Sequence, residues 1–248
     1  MKITFFTTST LSDIQNTQSN CIKKHFPDSE HIIIDGRFGW FSIWYEWLNI
    51  SKNIESDWYV HIDEDCFITS NIEVEKLITY MIDNNIDISG PPDGYYEYRG
   101  GNHMALNSFF MIMNRKCIDT WHNRTYVPQF KKEWIEEYPF TKSNTSNHDY
   151  NMEFGSSGKS VGLIWKPNTE PYYDFMWVLK DNNIKFNYLE PVFNSEFQST
   201  NLLNDTIIHM WYQRERYANY IVSPIHTIPN KQRYDKIIKY VKNITLLL

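Results

Sequence analysis

Trp58-Tyr59-Val60-His61-Ile62 is an apolar, aromatic and β-branched run that stops at three consecutive acids, Asp63-Glu64-Asp65. A run of this kind forms a strand buried on both faces. Three carboxylates within a few ångströms repel one another. At the mouth of a low-dielectric core they cost several kcal/mol or take up protons unless a cation compensates. A hard divalent ion with oxygen ligands is the natural compensator. Residues two apart on a strand point the same way, so Asp63 and Asp65 face one site while Glu64 faces elsewhere. The plain alternative is an acidic turn after a strand. The cation reading gains from the buried strand that delivers the acids, and from a candidate partner far downstream, His209 in Ile207-Ile208-His209-Met210-Trp211.

The elements around this stretch alternate. Residues 2–8 read as a first strand, closing in Thr7-Thr8-Ser9-Thr10, and Ser12 or Asp13 caps a helix running to about residue 26. His31-Ile32-Ile33-Ile34-Asp35 is expected as a second buried strand, followed by Gly36-Arg37. Two strands joined by one helix make a parallel βαβ unit, whose ligands gather at the carboxyl ends of the strands. Phe41, Trp44, Tyr45 and Leu48 share one helical face, and Val74, Leu77, Ile78, Met81 and Ile82 form another behind the cap Asn71. Ile86-Asp87-Ile88-Ser89 is a short strand, giving β-α-β-α-β-α-β, an open α/β sheet.

After Pro91-Pro92-Asp93-Gly94, residues 95–104 form a loop rich in Tyr and Gly. Residues 105–114 then read as a strand entered through Asn107 and Ser108. A helix is expected near 116–122, and 126–147 shows no clean period. Asn147-His148-Asp149-Tyr150-Asn151 opens a further helix, 161–165 is a strand, and 172–179 is an aromatic helix. Short strands at 186–189 and 207–211 lead to a C-terminal helix with Tyr234, Ile237, Ile238 and Val241 on its packing face.

The 248 residues suffice for one large domain with a sizeable core. A net charge of -6 without a basic run argues against nucleic acid or an anionic membrane as partner. Cys21, Cys66 and Cys117 are odd in number and widely spaced, which fits reduced thiols in a cytosol-like compartment. No run reaches the roughly 20 apolar residues of a membrane span, and the N-terminus lacks a secretory pattern, so a cytoplasmic location is expected. The Asn-x-Ser/Thr matches at Asn49, Asn123, Asn144, Asn204 and Asn243 are the chance yield of an Asn-rich chain. Most aromatic residues must be core, and Trp165, Tyr172, Tyr173 and Trp177 are candidates for either core or a sugar-binding cleft.

The ordered features Ile62-Asp63-Glu64-Asp65, Leu106-Asn107-Ser108-Phe109-Phe110-Met111-Ile112-Met113-Asn114 and His209 resemble those of the GT-A glycosyltransferases, the nucleotide-diphospho-sugar transferases. The resemblance spans roughly residues 2 to 211. It implies a single GT-A-like, Rossmann-like α/β domain with a mostly parallel central sheet flanked by helices. Residues 1–114 would be the nucleotide-sugar-binding half, 115–215 the acceptor-side half and 216–248 a C-terminal packing helix. It departs from the pattern at Phe109, where a small residue is usual and where the larger ring would narrow the donor pocket. The lysine and proline that follow the metal-binding His in one retaining family are also missing around Met210-Trp211-Tyr212-Gln213-Arg214.

The resemblance implies metal-dependent sugar transfer from a nucleotide-diphosphate sugar to a glycan or glycoside acceptor. A divalent ion bridging the two phosphates stabilises the charge of the departing diphosphate. Asp65 would ligate the ion, Asp63 would share it or bind ribose, and His209 would complete the shell. Oxygen ligands with one imidazole suit Mn2+, with Mg2+ as the alternative. Thr8, Ser9, Asp35 and Arg37 are the expected nucleotide pocket at the strand ends, joined on the donor side by Glu64, Asn107 and Ser108. Asp149 resembles either an acid under the sugar of retaining enzymes or the base of inverting ones.

Each assignment has a plainer counterpart. His209 would be a structural histidine, Arg37 a turn cap in a surface ion pair, Asp149 a helix N-cap and Asn107 a loop-satisfying amide. For the whole chain the competing readings are a glycan-binding module that kept the fold without the chemistry, and a metal-dependent phosphohydrolase.

Overall fold

The computed structural model describes residues 1–10, 13–38, 45–93, 105–125, 172–211, 215–223 and 225–246. Strands β1 (Ile3–Ser9), β2 (Glu30–Asp35) and β3 (Trp58–Ile62) build one side of the main sheet. Strands β5 (Ile88–Gly90), β6 (Phe110–Asn114) and β7 (Phe186–Tyr188) build the other. Their order is β2-β1-β3-β6-β5-β7. β1 runs parallel to β2 and β3, and β5 parallel to β7, while β6 is antiparallel to both neighbours. The sheet is therefore mixed but mostly parallel.

Helices cover both faces because the strands are apolar on both. On β1, Phe5 and Phe6 point to opposite sides. Phe5, Val60 and Ile112 pack with Ile22 of α1 (Asp13–His25) and with Val74, Ile78 and Met81 of α3 (Ile72–Asp83). Phe6, Tyr59 and Met111 pack with Trp47 of α2 (Glu46–Ser51), Cys117 of α4 (Arg115–His122) and Trp177 of α5 (Tyr173–Asp181). All five residues of β3 are buried, as expected of the central strand.

A second, antiparallel sheet has the order β4-β10-β9-β8, from β4 (Cys66–Ile68), β8 (Val192–Asn194), β9 (Ser199–Leu202) and β10 (Ile207–His209). Phe67, Ile208 and Met210 bury against Ile14 and Cys21 of α1 and against Ile237 and Val241 of α6 (Asn230–Leu246). The acids Asp63-Glu64-Asp65 are the whole connection between β3 of the large sheet and β4 of the small one.

Several expectations are corrected. β2 is an edge strand with one neighbour, so it is half-exposed rather than buried, and Ile33 faces solvent. The strand expected over 105–114 narrows to β6, because Leu106 makes only an isolated bridge to Pro92 and Asn107 and Ser108 form an entry turn. Ile82 lies off the buried stripe of α3 and is exposed. Phe41, Trp44, the loop 95–104, the segment 126–147, Asp149 with its helix, and the strand 161–165 with Trp165 lie outside the described residues. Tyr172, Tyr173 and Trp177 are core.

Candidate metal centre

β3 delivers Asp63 into a tight turn. The Cys66 N–H donates to the Asp63 carbonyl at 3.0 Å, and the Asp63 N–H donates to the Phe109 carbonyl at 3.0 Å. His209 arrives from the far end of the sequence because β10 pairs with β4 in a register that sets His209 opposite Cys66. The Met210 N–H closes the same corner by donating to the Asp65 carbonyl at 3.0 Å. His209 Nε2 then lies 3.2 Å from Asp65 Oδ1, both side chains being buried.

One ligand atom each from Asp63, Asp65 and His209 falls within 4.8 Å of the others. Ligands about 2.1 Å from a shared ion span about 4 Å across it, so this set is close to the size of a cation cage. Asp63 is the least buried of the three, which leaves the cage an opening. Two carboxylate oxygens and an imidazole match Mn2+ or Mg2+ in ligand character. The residues present therefore fit a divalent ion.

The imidazole is held by rings. Phe109 stacks on it at 4.1 Å between centroids, and the Trp211 ring lies 4.0 Å away. The Trp211 indole N–H donates to Thr200 Oγ1 at 2.6 Å. Trp211 has a φ of 56°, a left-handed conformation costly for a bulky residue. Arg233, fully buried on α6, stabilises that backbone by donating to the Met210 and Trp211 carbonyls. Phe109 is thus packed behind the histidine rather than narrowing an open pocket, since only 2% of it is exposed.

Glu64 turns away from its neighbours, toward the end of β1. Its carboxylate accepts from Ser9 Oγ at 2.6 Å, the Thr10 N–H at 3.0 Å and Thr10 Oγ1 at 2.9 Å. The end of β1 is thereby tied to the acidic turn. The end of β2 closes on it from the other side, where a Cβ on Gly36 would meet the Ser9 carbonyl oxygen at 2.9 Å. Only glycine permits that approach. Thr8 is half-buried beside it. Asp35 accepts from the Arg37 N–H at 3.1 Å and from Arg37 Nε at 2.8 Å, and Arg37 Nη2 completes the pair. The guanidinium beside Asp35 holds that carboxyl below its ordinary value.

Across the turn, Asn107 accepts from the Phe109 N–H at 3.1 Å and donates to Asp93 Oδ1, while the Tyr173 hydroxyl donates to Asp93 Oδ2. The Ser108 carbonyl accepts from His61 Nδ1 at 2.7 Å. The Cys66 thiol is pushed well above its usual range by burial and by the charges of Asp65 and Asp63, so it is an inert packing group. The structure therefore gathers Asp63, Asp65 and His209, places Ser9 and Glu64 in contact beside them, and sets Asp35 with Arg37 at the next strand end. Asn107 and Ser108 precede Phe109, which touches the turn. Sequence reasoning missed Gln18, which donates to the Asp63 and Cys66 carbonyls, and the supports Trp211 and Arg233.

No family model matches the chain, and no curated protein matches its sequence. Among solved structures it is similar to a glycosyltransferase involved in glycosylation of the major capsid of PBCV-1, at 11% identity and a TM-score of 0.37 over 59% of this chain and 80% of that one. It is also similar to the mannosyltransferase PcManGT from Pyrobaculum calidifontis, solved with GDP-Man and Mn2+, at 8% identity and a TM-score of 0.37 over 51% of this chain and 47% of that one. A third is the galactosyltransferase LgtC with donor and acceptor sugar analogues, at 12% identity and a TM-score of 0.33 over 60% of this chain and 67% of that one. Among the described residues, no helix is long and apolar enough to cross a membrane.

Proposed function

We propose that the chain is a metal-dependent glycosyltransferase that moves a sugar from a nucleotide-diphosphate donor to a glycan or glycoside acceptor. The observation that carries this reading is the cluster of Asp63, Asp65 and His209 at the carboxyl end of the central strand. In open α/β sheets ligands bind beyond those strand ends. Asp65 and His209 would hold Mn2+ or Mg2+, with Asp63 sharing the ion or meeting the donor ribose. When bound, the ion supplies positive charge to a diphosphate leaving group.

The nucleotide-binding roles fall to side chains of the same rim. Thr8, Ser9, Asp35 and Arg37 line the ends of β1 and β2 and would bind the nucleotide. Glu64 fixes the β1 end, and Asn107 and Ser108 flank the sugar side. Asp149 is proposed as acceptor base or sugar contact. Residues 1–114 would serve the donor and 115–215 the acceptor, with 216–248 as packing.

A thermal-shift measurement with UDP or GDP tests the reading. Mn2+ with the right nucleotide is expected to raise the melting temperature, because a ligand bound only to the native state stabilises it by mass action. Asp65→Ala should remove the metal-dependent part. Absence of a shift with every nucleoside diphosphate would overturn the proposal.

A further inference from the structure

A line of polar side chains, buried at Thr7, Gln15 and Gln18 and half-buried at Ser19 and His31, runs from the edge of the large sheet to the acidic turn. Gln18 of α1 is fully buried, and its amide nitrogen donates to the Asp63 carbonyl and, at 3.2 Å, to the Cys66 carbonyl. A flipped amide would set oxygen against two carbonyl oxygens, so the orientation is determined. Gln18 Oε1 accepts from Thr7 Oγ1 at 3.1 Å, which uses the only proton of that hydroxyl. Thr7 must then accept from His31 Nε2, 2.9 Å away. That leaves His31 Nδ1 as acceptor for Ser19 Oγ at 3.3 Å, and Ser19 accepts from Gln15 Nε2 at 2.6 Å. Every proton in the series has one direction. Burial holds His31 neutral by pushing it down to about 4, so one ring nitrogen donates and the other accepts.

The turn these bonds grip is the one whose side chains form the candidate cation cage. Its two carbonyls, at Asp63 and Cys66, bracket Asp65. Fixing both carbonyls fixes the directions in which the two carboxylates leave the backbone. We infer that Gln18 is a positioning residue of the metal centre, oriented through Thr7 by His31, Ser19 and Gln15. This inference rests on the proposed cation site. Outer groups that orient metal ligands typically contribute about tenfold or more to metal affinity.

The test is a Mn2+ titration of the purified full chain, with and without UDP, read as loss of the electron paramagnetic resonance signal of free Mn2+. Wild type, Gln18→Leu and Thr7→Val are compared, with circular dichroism and melting in EDTA recording the fold. Gln18→Leu is expected to bind Mn2+ about tenfold more weakly at a temperature where it is folded. Thr7→Val, which leaves the amide on its two carbonyls but removes the hydroxyl that holds Gln18 Oε1, should fall between it and wild type. A purely structural role would lower the melting temperature in EDTA and leave the affinity of the folded protein unchanged, and that result overturns the inference. Should Gln18→Leu not fold, unchanged affinity in Thr7→Val overturns it instead. A wild type that binds no Mn2+ removes the cation site itself, and the role of Gln18 with it.

Discussion

The Phe109 ring lies on the imidazole of His209, centroids 4.1 Å apart and planes 16° from parallel. Phe109 also meets Trp211 edge-on at 5.7 Å, so it braces both rings of the corner. Phe109→Ala should cost roughly 3–5 kcal/mol through the cavity it leaves. Phe109→Leu fills most of that space but loses the flat contact. It is expected to stay folded and show a smaller Mn2+-dependent rise in melting temperature. An undiminished rise in Phe109→Leu would show that the stack does not orient the histidine.

Asp65→Asn should reverse sign with metal. Without an ion, Asp63 and Asp65 repel, and the neutral amide relieves that repulsion. The variant in EDTA is therefore expected to unfold at a denaturant midpoint equal to or above that of wild type. With Mn2+ at about 100 times its dissociation constant, wild type should gain about 2.7 kcal/mol and the variant little of it. Chemical denaturation in both buffers checks this, and a variant destabilised equally in each would speak against the charge argument.

Arg233 donates to the Gln198 carbonyl at 2.9 Å, to the Met210 and Trp211 carbonyls and to Asn230 Oδ1. A lysine keeps the charge but cannot reach this fan of acceptors. Arg233→Lys is expected to lose roughly 2–4 kcal/mol, since buried carbonyls are left without donors. Urea unfolding measures the loss, and a change under about 0.5 kcal/mol, the range of ordinary surface substitutions, would refute it.

Burial pushes His31, His61 and His226 down to about 4. Between that value and the ordinary 6.5, the unfolded chain binds protons that the native chain refuses, so stability rises with pH across the window and is fully present above it. His25 and His122 shift in the same direction. Asp13, Asp35 and Asp87 are held low and lose their contribution only at more acid pH. Asp174, raised by burial, opposes the trend. The unfolding free energy is expected to be lower at pH 5 than at pH 7.5, by an amount on the order of a few kcal/mol in total, and the denaturation midpoint falls with it. An equal or higher midpoint at pH 5 would contradict the assignment of buried neutral histidines.

The sequence made β3 and its acids readable because a five-residue run rich in aromatic and β-branched side chains is short for a helix and favours a buried strand. His209 was readable for the same reason, through the apolar residues around it. The second sheet was not readable beyond β10: β4 is only three residues long, and Ser199-Thr200-Asn201-Leu202 is polar and is buried by its partners rather than by its own composition. Gln18 sits on the buried side of α1, where a polar residue breaks the apolar pattern. Its two acceptors are carbonyls 45 and 48 residues away, and no local pattern announces them. β6 looked like one more strand of the alternation. Its reversal follows from direct pairing with both β3 and β5, which sequence spacing does not encode.

Because β10 must lie against β4 before His209 can face Asp65, the cage is finished last in the order of synthesis. A nascent chain that has emerged only through its first half carries both acids and no third ligand. With two carboxylates and no imidazole it would have little hold on a divalent ion. Completion of the cage therefore depends on the strand pairing that brings together ligands encoded far apart.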